Sequence, residues 1–139
     1  MRKSEVRSPR SGVRWTALGL LALLLAGCGP ATPKQDFEAG LALLKKGDVA
    51  AGKARLEAAL ERAPEAAFAA EAQNWLGLAN WELGMTAEAV ANFEGASKLD
   101  PAAFAPVFNL GCLTLEANDM QNGIKLLRQV LGQDVPDAA

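Results

Sequence analysis

The sequence predicts an all-α fold: three helical hairpins stacked side by side behind a short leader. Three observations carry this. From residue 33 onward the chain repeats itself at a spacing of 34 residues. Each copy breaks in the middle at a glycine or asparagine and stops near a proline. Alanine is abundant, which favours helix and lets neighbouring helices approach closely.

The leader comes first. Residues 1–27 open with Arg2, Lys3, Arg7, Arg10 and Arg14 against one acid, Glu5, and continue into the apolar run WTALGLLALLLAG. That run is too short to span a bilayer comfortably and suits the apolar region of a signal peptide. No adjacent arginine pair is present, which favours the general secretory route. Leu25-Ala26-Gly27-Cys28 then resembles the lipobox of bacterial lipoproteins. The resemblance implies cleavage before Cys28 and lipid attachment on its thiol. The alternatives are an ordinary signal peptide that happens to contain a cysteine, or a signal anchor. Two or more acyl chains hold a protein on a membrane stably. Gly29, rather than Asp, after the cysteine implies the periplasmic face of the outer membrane if the source is Gram-negative. Residues 28–33 form a tether that reaches about 15–20 Å.

Removing the leader changes the charge. Its five basic residues and one acid leave nine basic and fifteen acidic residues behind, so the chain goes from −2 to −6. An acidic domain argues against a nucleic-acid partner and against docking on anionic lipid.

Residues 34–136 hold the three copies, at about 33–66, 70–103 and 104–136. Leu76-Gly77 recurs as Leu110-Gly111; Ala89, Phe93 and Ala96 recur as Gly123, Leu127 and Val130, all at 34 residues. Gly40, Gly52, Leu56, Ala59 and Pro64 form an earlier copy with a slip of three residues. Each copy reads as two amphipathic helices joined by a turn, at Lys46-Gly47-Asp48, Leu83-Gly84-Met85 and Ala117-Asn118-Asp119. Gly or Asn suits the left-handed residue that ends a helix. Asp48, Thr86 and Asp119 are the expected caps of the second helices. Pro64, Pro101 and Pro136 are expected to stop them. Small residues at Gly40, Gly77 and Gly111 let paired helices touch, and Leu56, Phe93 and Leu127 fill the space between pairs.

This pattern resembles the tetratricopeptide repeat, W-x2-L-G-x2-Y…A-x3-F…P. The middle copy fits best, with Gln73 and Asn80 where the aromatics would stand. The resemblance implies a right-handed superhelical array of three hairpins. Its inner face would be lined by the first helix of each pair and would take a peptide or helix. Carried over residue by residue, that face presents Phe37, Leu41 and Leu44, then Asn74, Leu78, Trp81 and Glu82, then Phe108, Cys112, Leu115 and Glu116. It is apolar with an acidic edge and lacks the basic set that clamps a terminal carboxylate in chaperone-binding relatives. The implied ligand is an apolar helix or extended segment of another envelope protein. Part of Leu41, Leu78 and Leu115 is also expected to serve as inter-helix core.

Several stretches invite an enzymatic reading and fail it. GDVAAGKA, residues 47–54, resembles a phosphate-binding loop but has Ala54 where Ser or Thr must hold magnesium, and a helix where a strand should precede it. Lys53 is expected to be a solvated helix residue, four before Glu57. The chain has no His and no Tyr, which removes His-based nucleophile arrangements and His metal sites. Ser97 is the one serine after the leader. Glu82 and Glu116 occupy matching repeat positions, which explains them as a groove rim rather than an acid–base pair. Cys112 reads as a small hydrophobe, with a reactive or partner-pairing thiol as the alternative. The sequence therefore predicts no enzyme, no cofactor and no metal site.

The last helix carries Met120, Ile124, Leu127 and Leu131 on one stripe with no following helix to cover it. Either Gln121, Lys125 and Arg128 keep its outer side polar, or a partner or second copy covers it. The leading expectation is a membrane-anchored adaptor; the alternative is a scaffold that self-associates through this helix.

Overall fold

Helix α1 (Pro33–Lys45) starts where Thr32 and Pro33 dictate. The Thr32 hydroxyl accepts from the Gln35 backbone N–H at 3.2 Å, and the Gln35 side chain accepts from the Thr32 N–H at 2.8 Å. This reciprocal cap satisfies two donors that a helix start leaves open, and proline at the first position loses nothing there. The computed structural model describes residues 29–132; the leader, Cys28 and the stretch from 133 onward, Pro136 included, lie outside the described residues.

Five further helices follow: α2 (Val49–Arg62), α3 (Ala69–Glu82), α4 (Thr86–Leu99), α5 (Phe104–Glu116) and α6 (Met120–Val130). Among the described residues there is no strand. The helices pair as α1–α2, α3–α4 and α5–α6. Successive pairs meet through α2 with α3 and α4 with α5, and the first helices touch through α1 with α3 and α3 with α5. The fold is the all-α array of three hairpins that the repeat spacing predicts.

The three hairpin turns are built alike. Gly47, Gly84 and Asn118 all adopt left-handed backbone, at φ 82°, 74° and 64°. The next residue's N–H reaches back to the carbonyl five residues earlier: Asp48 to Leu43, Met85 to Asn80 and Asp119 to Thr114, at 2.8 to 3.0 Å. This bond pattern satisfies carbonyls that the helix end would otherwise leave bare. Asp48 and Asp119 then cap α2 and α6 by accepting from Ala51 and Asn122. The expectation for Thr86 is corrected. Thr86 is the first residue of α4, and Met85 holds the cap position without a side-chain hydrogen bond. Residues 47–54 are thus a turn and a helix start, with Gly52 packed on Leu44.

The second helices end before their prolines in the first two hairpins, with Ala63 and Asp100 as the closing residues. The third ends differently from the expectation built on Pro136: α6 stops at Val130, and Gly132 takes left-handed backbone at φ 63°.

Each hairpin closes on a glycine of its first helix. A methyl group at Gly40 would sit 2.9 Å from Leu56, one at Gly111 would sit 2.9 Å from Leu127, and one at Gly77 would collide with the Phe93 ring. Leu56 and Phe93 are fully buried, each burial contributing about 1.5–3 kcal/mol. Phe37, Leu56, Ala59, Leu60 and the α3 residues Ala69, Ala72 and Leu76 form one core cluster; Ala89, Phe93 and Leu113 form a second.

Polar residues take over where the repeat pattern lacks aromatics. In the second hairpin, Asn92 of α4 donates to Gln73 and its carbonyl oxygen accepts from Asn80, both at 2.7 Å. In the first, Asp36 is buried and accepts from Arg55 at 2.8 Å and Arg62 at 2.9 Å. Asp36 and Arg55 stand 19 residues apart, and so do Gln73 and Asn92. One helix-pair contact is therefore an ion pair in the first hairpin and an amide pair in the second.

Candidate functional site: the face of the first helices

The site is built from α1, α3 and α5, whose contacts bring one face of each into a row. Two hydrogen bonds join α3 to α5. Near the helix starts, Asn109 donates to Asn74 at 3.0 Å. At the helix ends, the Trp81 indole N–H donates to a Glu116 carboxylate oxygen at 2.7 Å. Both link residues 35 apart, one more than the repeat. Leu78 and Cys112 hold the same repeat position between these two rungs, and both are half-buried.

The structure sorts the residues predicted for this face. Phe37 is a correction: it is 7% exposed and lies in the first core, stacked under Phe68 with ring centroids 4.9 Å apart. Phe68, in the connection before α3, covers it. Leu41 and Leu44 are half-buried against the same core, Leu44 across from Gly52. Leu78 and Trp81 pack on the second core, with the Trp81 ring edge-on to Phe93 at 6.4 Å. Leu115 fits against Gly123. Phe108 keeps 45% of its surface open. Cys112 is a free thiol and Glu82 is exposed.

The electrostatics of this face are one-sided. Helices α3 and α5 together contain Glu71, Glu82 and Glu116 and no Lys or Arg. Glu71 accepts from the Trp75 indole at 3.4 Å. The Glu82–Glu116 pairing that invites an acid–base reading does not stand alone, since Glu116 is engaged by Trp81. Among the described residues, no group of three His, Cys, Asp or Glu side chains is arranged to hold a metal ion.

Three contributors escaped the sequence reading. Asn109 shapes the face through Asn74, and Phe68 removes Phe37 from it. Lys53 is not the solvated residue expected: its side chain is 18% exposed, 3.7 Å from Glu57 and 3.3 Å from the Met85 sulfur. The 19-residue offset shared by Asp36–Arg55 and Gln73–Asn92 was the available signal for the polar contacts. The inter-hairpin contacts left none, because they depend on how the pairs are rotated against one another.

This arrangement defines a class: an array of tetratricopeptide-type helical hairpins. Residues 70–102, the α3–α4 hairpin, match the family model of the tetratricopeptide repeat. Among solved structures, the chain is similar to YrrB, described as a TPR protein with an unusual peptide-binding site. That match has 20% identity and a TM-score of 0.68, over 78% of this chain and 54% of that one. It is similar to MamA, residues 41 to the end, from Desulfovibrio magneticus RS-1, at 21% identity and a TM-score of 0.69 over 88% and 67% of the two chains. A MamA RS-1 ArsTM double mutant matches at 22% identity and 0.69 over 85% and 64%. This chain thus spans about half the length of the YrrB chain. No curated protein sequence matches it significantly.

Proposed function

We propose that the chain is a membrane-anchored adaptor that holds a segment of another cell-envelope protein on the face of its first helices. The observation that carries this is the surface around Leu41, Leu78, Cys112 and Phe108. It is apolar, Phe108 is 45% open, and α3 and α5 bring no positive charge to it. Such a face suits an apolar helix or extended strand with basic flanks, and disfavours an acidic tail. The peptide-binding site in the description of YrrB supports the use of this fold for peptide capture. The anchor rests on the lipobox-like Leu25-Ala26-Gly27-Cys28. No helix among the described residues is long and apolar enough to cross a membrane.

The test is crosslinking in membranes followed by pull-down, with Cys28→Ser and Phe108→Glu forms beside the natural chain. The adaptor reading expects a partner that the natural chain retains and Phe108→Glu loses. It also expects Cys28→Ser to leave the membrane fraction. A partner retained equally by Phe108→Glu sinks the groove assignment, and membrane retention of Cys28→Ser sinks the lipid anchor.

A second reading is favoured by a separate observation. On α6, Met120, Ile124 and Leu131 are 56%, 41% and 68% exposed, so the terminal stripe is uncovered among the described residues. Pairing of two such faces would make the array a self-associating scaffold. Light scattering over a wide concentration range separates the two: a strictly monomeric protein removes the scaffold reading.

A further inference from the structure

We propose that the cleft between α4 and α6 is a receptor for a lysine side chain presented by a partner protein. The occupant is read from the molecule's own repeat. At the first junction between hairpins, Lys53 of α2 lies largely buried. Its ammonium stands 3.7 Å from Glu57, one turn on, and 3.3 Å from the sulfur of Met85, at the start of α4. One repeat later the same three positions are Val90, Glu94 and Asp119. The lysine is gone, its carboxylate partner is kept, and the thioether is replaced by a second carboxylate.

At that second junction a cleft of about 500 Å³ opens, with Val90, Glu94, Leu110, Asp119 and Leu126 among its lining residues. Val90, Leu110 and Leu126 offer the apolar wall that four methylenes require, since a lysine stem buries well along apolar surface. Glu94 offers the charge at the place where Glu57 meets Lys53. Asp119 is held in position by Asn122, whose backbone N–H and side-chain amide donate to it at 3.3 and 2.7 Å. Glu94 has no ion-pair partner among the described residues. Lys125 also lines the cleft, where the first junction has Ala91, and forms no ion pair with a described carboxylate. It reduces the negative potential without occupying Glu94. The volume equals that of about 15 water molecules, enough for a lysine side chain and part of the partner's backbone. None of the residues predicted for the inner face lines this cleft, so the site is independent of the adaptor groove.

The experiment uses the isotope-labelled full chain in detergent, titrated with the peptide acetyl-Gly-Gly-Lys-Gly-Gly-amide and with its norleucine analogue, which keeps the four carbons and lacks the ammonium. The lysine peptide should shift the amide signals of Val90, Glu94, Leu110 and Leu126. The norleucine peptide should bind about fivefold more weakly, the ratio for one partly exposed charge contact. Glu94→Gln should bring the lysine peptide down to the norleucine level, and Lys125→Ala should tighten it. Val90→Lys restores the side chain that Lys53 supplies at the first junction; it should raise the thermal midpoint and abolish binding. Phe108→Glu, the groove variant, should leave the titration unchanged, so failure of either site is visible separately. Equal binding of both peptides, no response to Glu94→Gln, shifts confined to Leu78 and Phe108, or no shifts at millimolar peptide each overturn the proposal. A lower midpoint in Val90→Lys overturns it without any peptide.

Discussion

The Trp81 indole N–H lies 2.7 Å from the Glu116 carboxylate and ties the end of the second hairpin's first helix to that of the third. The same ring stands edge-on to Phe93, so one side chain serves both the hairpin core and the inter-hairpin contact. Trp81→Phe keeps an aromatic ring, smaller than the indole, and deletes the donor. Because the bond is exposed, it should cost only about 1 kcal/mol. Trp81→Ala also loses the packing and should cost about 3 kcal/mol or more. Urea unfolding of both variants checks the split; equal losses would mean that the ring packing adds nothing to the hydrogen bond, and an unchanged Trp81→Phe would mean that the hydrogen bond carries nothing.

Asp36 is the second test. Its carboxylate is buried between Arg55 and Arg62, whose side chains remain about half exposed. Removing one partner of a buried ion pair is costly because a charge is stranded, yet these arginines can turn to water. Asp36→Ala should cost about 2–3 kcal/mol, below the range for fully buried pairs. Arg55→Ala should cost less, since Arg62 continues to neutralise the carboxylate. Denaturant midpoints for the two variants give the order directly.

Gly77 and Gly84 separate two roles of glycine. Gly84→Ala places a side chain at φ 74° with open space around it, so only backbone strain is added, about 1 kcal/mol. Gly77→Ala drives a methyl into the Phe93 ring, an overpacking that costs about 1–3 kcal/mol. Phe93→Leu in the Gly77→Ala background should recover part of the loss, as Leu56 and Leu127 face the equivalent glycines. Phe93→Leu alone should destabilise. Thermal melts of the two singles and the double complete the cycle, and additive losses would exclude the clash.

Asn92 carries the fourth prediction. Its amide bridges Gln73 and Asn80, and Asn80 is buried with its side-chain oxygen Oδ1 lacking a partner among the described residues. Asn92→Leu strands the Asn80 amide donor and the half-buried Gln73 acceptor and should cost about 1–3 kcal/mol, most of it from the buried Asn80 donor. The triple change Gln73→Val, Asn80→Thr, Asn92→Leu places the third hairpin's own residues, Val107, Thr114 and Leu126, at these positions. It should restore most of the stability. Hydrogen exchange at α3 and α4 reports both outcomes.

Much of the fold was legible because it is local. Gly47, Gly84 and Asn118 end helices through their own backbone preference, and Asp48 and Asp119 cap the next helix within four residues. The glycine-to-Leu56, glycine-to-Phe93 and glycine-to-Leu127 contacts recur at a fixed spacing, so one copy explains another. The face of the first helices was legible as a set of positions, since a 34-residue period returns the same side of each helix. Its composition in detail was not. Phe37 has the position of an inner-face residue, yet Phe68 from the following connection closes over it. Thr86 has the chemistry of a cap, yet the turn through Gly84 places Met85 there instead. Lys53 looks solvated one turn before Glu57, until α4 arrives beside it.

The sequence by itself determined the helices, their turns and the period of the stack, because these follow from backbone conformation and from spacing along one chain. Only the tertiary structure decided which side chains meet between hairpins: Trp81 with Glu116, Asn74 with Asn109, Lys53 with Met85, and the open space at Val90. Those contacts depend on the rotation and offset of one rigid pair against the next. That geometry is set by the summed packing of many side chains, and no single residue or interval announces it.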